Sequence, residues 1–222
     1  VSLYGGTVDK YIGDAVMAFW GAPVHDREHA VHACDAALAC QEKIAQLNRK
    51  WIMEDKSALV TRIGISTGET VVGNVGSTER MNYTVMGDSV NMASRLEGIN
   101  KLFGTHIIVA RETYEAASKR FWFRPLGILA VKGKSGQKTV YELLDRRIEG
   151  ENSPAAQLCE EFTRGFNAYL SRNWNGACAI FSDLSIKFPQ DAPTSFYLSR
   201  CAHFQDNPPG QGWQGIGHLQ SK

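Results

Sequence analysis

Two short stretches of this chain hold side chains whose types and spacing suit phosphoryl chemistry. The first, Lys10-Tyr-Ile-Gly-Asp14, ends in a carboxylate of the kind that hard divalent metals take as an oxygen ligand. The second runs Tyr83-Thr-Val-Met-Gly-Asp-Ser-Val-Asn-Met-Ala-Ser-Arg95. Lys10 and Thr84 suit the edge of a purine, because an ammonium only donates whereas a hydroxyl also accepts. Asn91 and Arg95 are four residues apart and so project from one face of a helix. A guanidinium there can set delocalised charge and paired donors against a pentavalent phosphoryl group.

In this order and separation the two stretches resemble the nucleotide site of the class III adenylyl and guanylyl cyclases. The resemblance spans roughly residues 4 to 146 and implies a cyclase of the threonine-type bacterial adenylyl subgroup. In that family the hairpin aspartate, here Asp14, is one of two that bind a pair of Mg2+ (or Mn2+) ions. One ion lowers the pKa of the attacking ribose 3′-hydroxyl, and the other neutralises the triphosphate and the leaving pyrophosphate. The family's first metal aspartate lies on an earlier strand, in a segment typically reading Asp-Ile-Arg-Gly-Phe-Thr. No such run occurs in these 222 residues, so it is expected upstream of Val1. Asp9 lies on the adjoining hairpin arm and is expected to be a solvated surface charge, not a replacement.

Lys10 and Thr84 match the family's base-reading positions. Adenine offers an acceptor at N1 and a donor at N6, whereas guanine reverses both, so a lysine ammonium suits adenine N1 and a threonine oxygen can accept from N6. Guanylyl cyclases usually carry an acidic and a small polar residue at these positions, so the resemblance implies ATP as substrate. Thr84 stands where many members have aspartate, and its hydroxyl reads the base less strictly. Asn91 is expected to hold the ribose and Arg95 the α-phosphoryl group, while Arg62 and Lys132 align with residues that grip the β- and γ-phosphates. Lys134, in the same Val131-Lys-Gly-Lys134 run, reads as solvated.

The family further implies a head-to-tail homodimer with shared sites. One protomer supplies the metal aspartates and Arg62; the other supplies Lys10, Thr84, Asn91, Arg95 and Lys132. The implied reaction turns ATP into 3′,5′-cyclic AMP and pyrophosphate. The alternatives are a non-catalytic, cyclase-like dimerisation module and a guanylyl cyclase, the latter opposed by Lys10.

Elements to position these groups are legible. Thr7 to Trp20 reads as a hairpin turning at Gly13-Asp14. A helix opened by Asp26 carries Ala30, Ala33, Cys34, Ala37, Gln41, Ile44, Asn48 and Trp51 as one stripe. Val60 to Thr67 reads as a strand, with Thr70 to Gly73 as its return. Asp88 or Ser89 suits a helix cap, and Met92, Leu96, Ile99 and Phe103 form the packing stripe behind it. His106 to Ala110 follows as a strand, Glu112 to Lys119 as a helix, and Phe121 to Leu144 as strands. The family fold implied is an α/β sandwich, an antiparallel sheet with a ferredoxin-like core and helices outside.

This cyclase-like domain is assigned to residues 1–147. Charge, Asn, Ser and Pro from Arg146 to Pro154 suggest a linker. Residues 148–222 read as a small all-α unit, and the spacing of Phe162, Gly165, Ala168, Tyr169, Trp174, Ala177, Phe181, Leu184 and Pro189 resembles one tetratricopeptide repeat. Pro193 suits the start of a third helix. So small a unit cannot bury its own apolar faces, so it should dock on the first domain or on a protein partner.

With 24 basic and 23 acidic residues, nothing suggests a nucleic-acid surface. The five cysteines show no CxxC spacing, which reads as reduced thiols in the cytoplasm. No apolar run reaches the roughly 20 residues needed to span a bilayer, so membrane attachment is expected only through parts outside this chain. His25, His29 and His32 lack the partners of a tetrahedral site and read as surface or cap residues.

Overall fold

The computed structural model describes residues 1–77, 79, 81–130, 137–148, 150, 153–213 and 215. Strands β1 (Thr7–Ile12) and β2 (Ala15–Phe19) pair antiparallel, and Ile12 opposite Ala15 closes the two-residue turn Gly13-Asp14. Gly13 has φ 62°, a left-handed conformation that glycine adopts without the Cβ penalty. The register shifts between Val8 and Lys10, so Asp9 sits at an irregularity of the β1 edge.

Helix α1 (His29–Met53) buries Ala30, Val31, Ala33, Cys34, Ala36, Ala37 and Leu38, all in its first half. Farther along, the same stripe becomes a polar clamp. The Gln41 amide donates to the Thr61 carbonyl at 3.0 Å, and Asn48 both donates to the Leu59 carbonyl and accepts from its N–H at 2.8 Å. Asp26 acts before this helix instead of capping it, accepting from the Glu28 N–H at 2.9 Å and facing His32 Nδ1 at 2.7 Å.

The central sheet has the order β3-β6-β8-β7, from β3 (Ile63–Ile65), β6 (Ile107–Val109), β8 (Gln137–Arg146) and β7 (Phe121–Ala130). Its β3–β6 pair is parallel, which corrects the expected all-antiparallel sheet to a mixed one. The long crossover from β3 to β6 allows this, because it contains a helix. That crossover also holds the hairpin of β4 (Val71–Gly76) and β5 (Met81–Met86). β4 therefore returns on β5, not on β3 as expected.

Helices cover both faces of the sheet, as the period-two alternation of strand side chains requires. Ile107 and Val109 enter a cluster with Val31, Cys34, Ala37 and Phe121, beneath α1 and α3 (Arg111–Ala117). Ile108 points the other way, into a cluster with Leu96, Ile99 and Phe103 of α2 (Asp88–Phe103). That second cluster continues without a break into Phe162, Phe166, Tyr169, Phe181 and Tyr197 of the C-terminal helices α4 (Pro154–Leu170), α5 (Trp174–Lys187) and α6 (Ala192–Asp206).

Ser153, Asn173 and Asp191 cap those three helices, each side-chain oxygen accepting from the N–H three residues on. Their apolar faces are covered by the sheet and α2, the first of the two expected docking modes. Polar contacts secure the seam. Tyr197 Oη donates to the Leu126 carbonyl at 2.6 Å, and Arg124 of β7 bonds Glu142 of β8 and both oxygens of Asp191, each at 2.7 Å.

Candidate active site

Helix α2 carries Asn91 and Arg95, and its seat on β3 depends on two residues outside the opening motifs. A Cβ at Gly64 would lie 2.0 Å from the Ala93 carbonyl oxygen and 2.4 Å from the Glu97 nitrogen, so only glycine lets strand and helix approach this closely. Asn100 is fully buried and donates to the carbonyls of Ile63 and Leu96, each at 3.0 Å, while accepting from Thr105 Oγ1 at 2.9 Å. The buried stripe Leu96, Ile99, Asn100 and Phe103 leaves Asn91 and Arg95 exposed on another side of α2. Gly87, not Asp88 or Ser89, is the N-cap residue. Asp88 is its first residue, so the expected capping role is corrected.

The β1 and β5 edges bring the two base-reading candidates together although they lie 74 residues apart. Lys10 Nζ donates to Thr84 Oγ1 at 3.2 Å. The Thr84 hydroxyl in turn donates to Asp9 Oδ2 at 2.6 Å, and Asp9 Oδ1 is 3.6 Å from Lys10 Nζ. The Asp9 side chain is only 1% exposed, against 42% for Lys10. The expectation that Asp9 is a solvated surface charge is therefore wrong. In a regular strand Asp9 and Lys10 would face opposite sides of the hairpin, and the register shift at this point removes that alternation. Nothing in the local sequence marks such a shift; the only available hint was a second charged residue beside Lys10.

Asp14 stands exposed in the hairpin turn, and Arg62 is half-buried directly before β3. Lys132 and Lys134 lie outside the described residues. Among the described residues no group of three or more His, Cys, Asp or Glu side chains forms a metal cage. A solvent-open aspartate nevertheless fits magnesium, which binds through one or two carboxylates together with substrate phosphates and keeps several waters. Asp9 does not fit as a second ligand, since its carboxylate is buried against Thr84 and Lys10.

Residues 7–144 match the sequence profile of the Adenylate and Guanylate cyclase catalytic domain. The chain is 43% identical over 144 residues to Adenylate cyclase 1 of Rhizobium meliloti, covering 65% of this chain and 22% of that protein. It is 32% identical over 201 residues to the terminal-differentiation specific adenylate cyclase of Dictyostelium discoideum, covering 89% of this chain and 9% of the relative. The chain thus spans less than a quarter of the length of either of these two relatives. Among solved structures, the adenylyl cyclase CyaB from P. aeruginosa superposes with a TM-score of 0.58 at 34% identity, over 68% of this chain and 77% of that one. The guanylyl cyclase Cya2 gives 0.57 at 29% identity, over 68% and 75%. The profile match covers well over half of the chain and includes Lys10, Asp14, Thr84, Asn91 and Arg95, so the chain belongs to the adenylate and guanylate cyclase catalytic domain family.

Proposed function

We propose that this domain is the catalytic part of an adenylyl cyclase, converting ATP to 3′,5′-cyclic AMP and pyrophosphate. The observation that carries the reading is the Lys10–Thr84 pair, which sets a donor and a hydroxyl oxygen 3.2 Å apart. That spacing suits adjacent positions on the edge of one base, with Lys10 donating to adenine N1 and Thr84 accepting from N6.

The remaining roles are those that the likeness to the cyclase family implies, and the residue chemistry suits them. Asn91 holds the ribose so that its 3′-oxygen faces the α-phosphorus. As that oxygen attacks in line and pyrophosphate leaves, Arg95 stabilises the charge on the pentavalent phosphoryl group. Arg62 and Lys132 hold the β- and γ-phosphates. Asp14 would bind Mg2+ or Mn2+, two ions per site in the full scheme, which acidify the 3′-hydroxyl and offset the triphosphate charge.

Two copies of the chain form the site. Support comes from the hairpins that carry Lys10, Asp14 and Thr84, where Tyr11, Ile12, Val16, Val71, Met81 and Met86 are all exposed. So many large apolar groups on two adjacent hairpins suit a protein surface as their cover. We assign residues 1–147 to the catalytic domain and 148–222 to a tetratricopeptide-like helical unit docked on it. The likeness to the Dictyostelium protein supports keeping the two together, because it reaches past residue 144. A cytoplasmic setting suits the five free cysteines; burial pushes the thiols of Cys34, Cys159 and Cys201 up to about 12. No helix among the described residues is long and apolar enough to cross a membrane.

A second reading, a non-catalytic dimerisation module, draws on the commitment of Asp9 to Thr84, which leaves Asp14 as the one candidate metal carboxylate of the hairpin. One assay separates the two. Full-length protein with Mg2+ or Mn2+ is expected to form cyclic AMP from ATP, and Arg95→Ala is expected to lower kcat by about 10²–10³-fold. Lack of product at high protein concentration sinks the enzyme reading, and GTP outcompeting ATP sinks the roles of Lys10 and Thr84.

A further inference from the structure

We propose that Asp9 sets the base preference of this site by fixing the direction of the Thr84 hydroxyl. The inference rests on the reading of Lys10 and Thr84 as the base-recognition pair. A threonine hydroxyl is ambiguous by itself: it donates to guanine O6 as readily as it accepts from adenine N6. Here the ambiguity is removed. Thr84 Oγ1 lies 2.6 Å from Asp9 Oδ2, and an ionised carboxylate only accepts, so the hydroxyl proton points to Asp9.

The two lone pairs of Oγ1 are then the groups left for other partners. Lys10 donates to one at 3.2 Å, and the second is open to a donor from a ligand. To a base, Thr84 therefore presents an acceptor only. Adenine N6 satisfies it, whereas guanine O6 would meet another oxygen lone pair. Burial strengthens the effect, since the Asp9 side chain is 1% exposed and water does not compete for the proton. Asp9 acts through Thr84 and does not touch the base, so it is a positioning residue.

The other role for this contact is purely structural, tying β1 to β5. A near-isosteric variant distinguishes the two. In Asp9→Asn the amide oxygen stays with the Lys10 ammonium, which lies 3.6 Å from Oδ1 in the wild type. Its NH2 then faces Thr84 Oγ1, and the hydroxyl proton must turn outward, toward a base.

The experiment measures kcat/KM for ATP and for GTP in full-length protein, with folding checked by thermal melting. Asp9→Asn is expected to lower the ATP:GTP ratio by about tenfold, the scale of one net hydrogen bond. Adding Thr84→Asp to Asp9→Asn puts the acceptor at position 84 itself, and is expected to return the ratio to within about threefold of wild type. Asp9→Ala, which frees the hydroxyl to turn either way, gives a smaller fall in the same direction and serves if the asparagine variant does not fold. An unchanged ratio in a folded variant, with both nucleotides slowed equally, overturns the proposal and leaves a structural tie. Failure of the second substitution to restore the ratio overturns it too. A wild type that favours GTP or makes no cyclic nucleotide overturns the base-recognition reading first and this inference with it. A wild type that favours ATP, with an unmoved ratio in the variants, overturns only the role of Asp9.

Discussion

Arg124→Met should release the C-terminal helices from the sheet more than any loss of apolar contact would suggest. The Arg124 side chain is 1% exposed, and its two partners, Glu142 and Asp191, are 9% and 11% exposed. It also lies 4.6 Å above the Phe162 ring. Methionine fills much of the same volume but leaves two carboxylates buried without a counter-charge. Breaking a buried pair from one side costs about 3–5 kcal/mol. For a chain of this length that corresponds to a fall in Tm of roughly 6–20 °C, at about 2–4 °C per kcal/mol. Calorimetry and urea titration of the variant measure it directly. Neutralising the carboxylates as well, with Glu142→Gln and Asp191→Asn, should recover about half of the loss, because the uncompensated charges are then gone. A loss below about 1 kcal/mol for Arg124→Met would refute the reasoning, since it would put the network in a solvated setting.

The same seam carries an acid dependence. Burial pushes the Asp191 carboxyl up, but the Arg124 hydrogen bonds outweigh it and hold the group below its ordinary value; Glu142 is pushed up by burial despite Arg124. A depressed pKa gives stability that is present above the unfolded value of about 3.9 and lost as pH falls through the folded one. The stability gap between wild type and Asp191→Asn should therefore narrow below about pH 4; urea titrations showing a constant or widening gap would contradict this. Asn100→Ala should cost about 2 kcal/mol, because it strips hydrogen bonds from the half-buried Ile63 carbonyl and the buried Thr105 hydroxyl. Urea titration of that variant showing a loss within a few tenths of a kcal/mol would mean that α2 does not depend on this side chain for its seat.

Local pattern carried the hairpin and the placement of α2. Gly13-Asp14 between two β-rich runs sufficed for the turn, and Leu96, Ile99 and Phe103 gave the buried face that leaves Asn91 and Arg95 in solvent. The errors arose where a neighbour distant in sequence decides the outcome. Ile63–Ile65 is too short for its pattern to report which strand it joins, and its parallel pairing with β6 is set by the crossover that carries α2. Asp9 followed the rule of strand alternation until a register shift broke it. Arg124 meets Asp191 across 67 residues, and no spacing rule connects a strand arginine to a helix cap that far away. A strand pattern does not report the role of Gly64, which lies in the backbone of α2 pressed against it.

The central claim is that two copies of the chain build one ATP site, with Asp14 from one and Arg95 from the other. Mixing full-length Asp14→Ala protein with full-length Arg95→Ala protein tests it most directly. Each variant alone should be nearly inactive. After subunit exchange, half of the dimers pair the two variants, and each such dimer holds one site with both residues intact. Cyclic AMP formation should then recover to about a quarter of the wild-type rate. Recovery to that level is the predicted result; a mixture no more active than either variant alone, with exchange verified, would contradict the shared site.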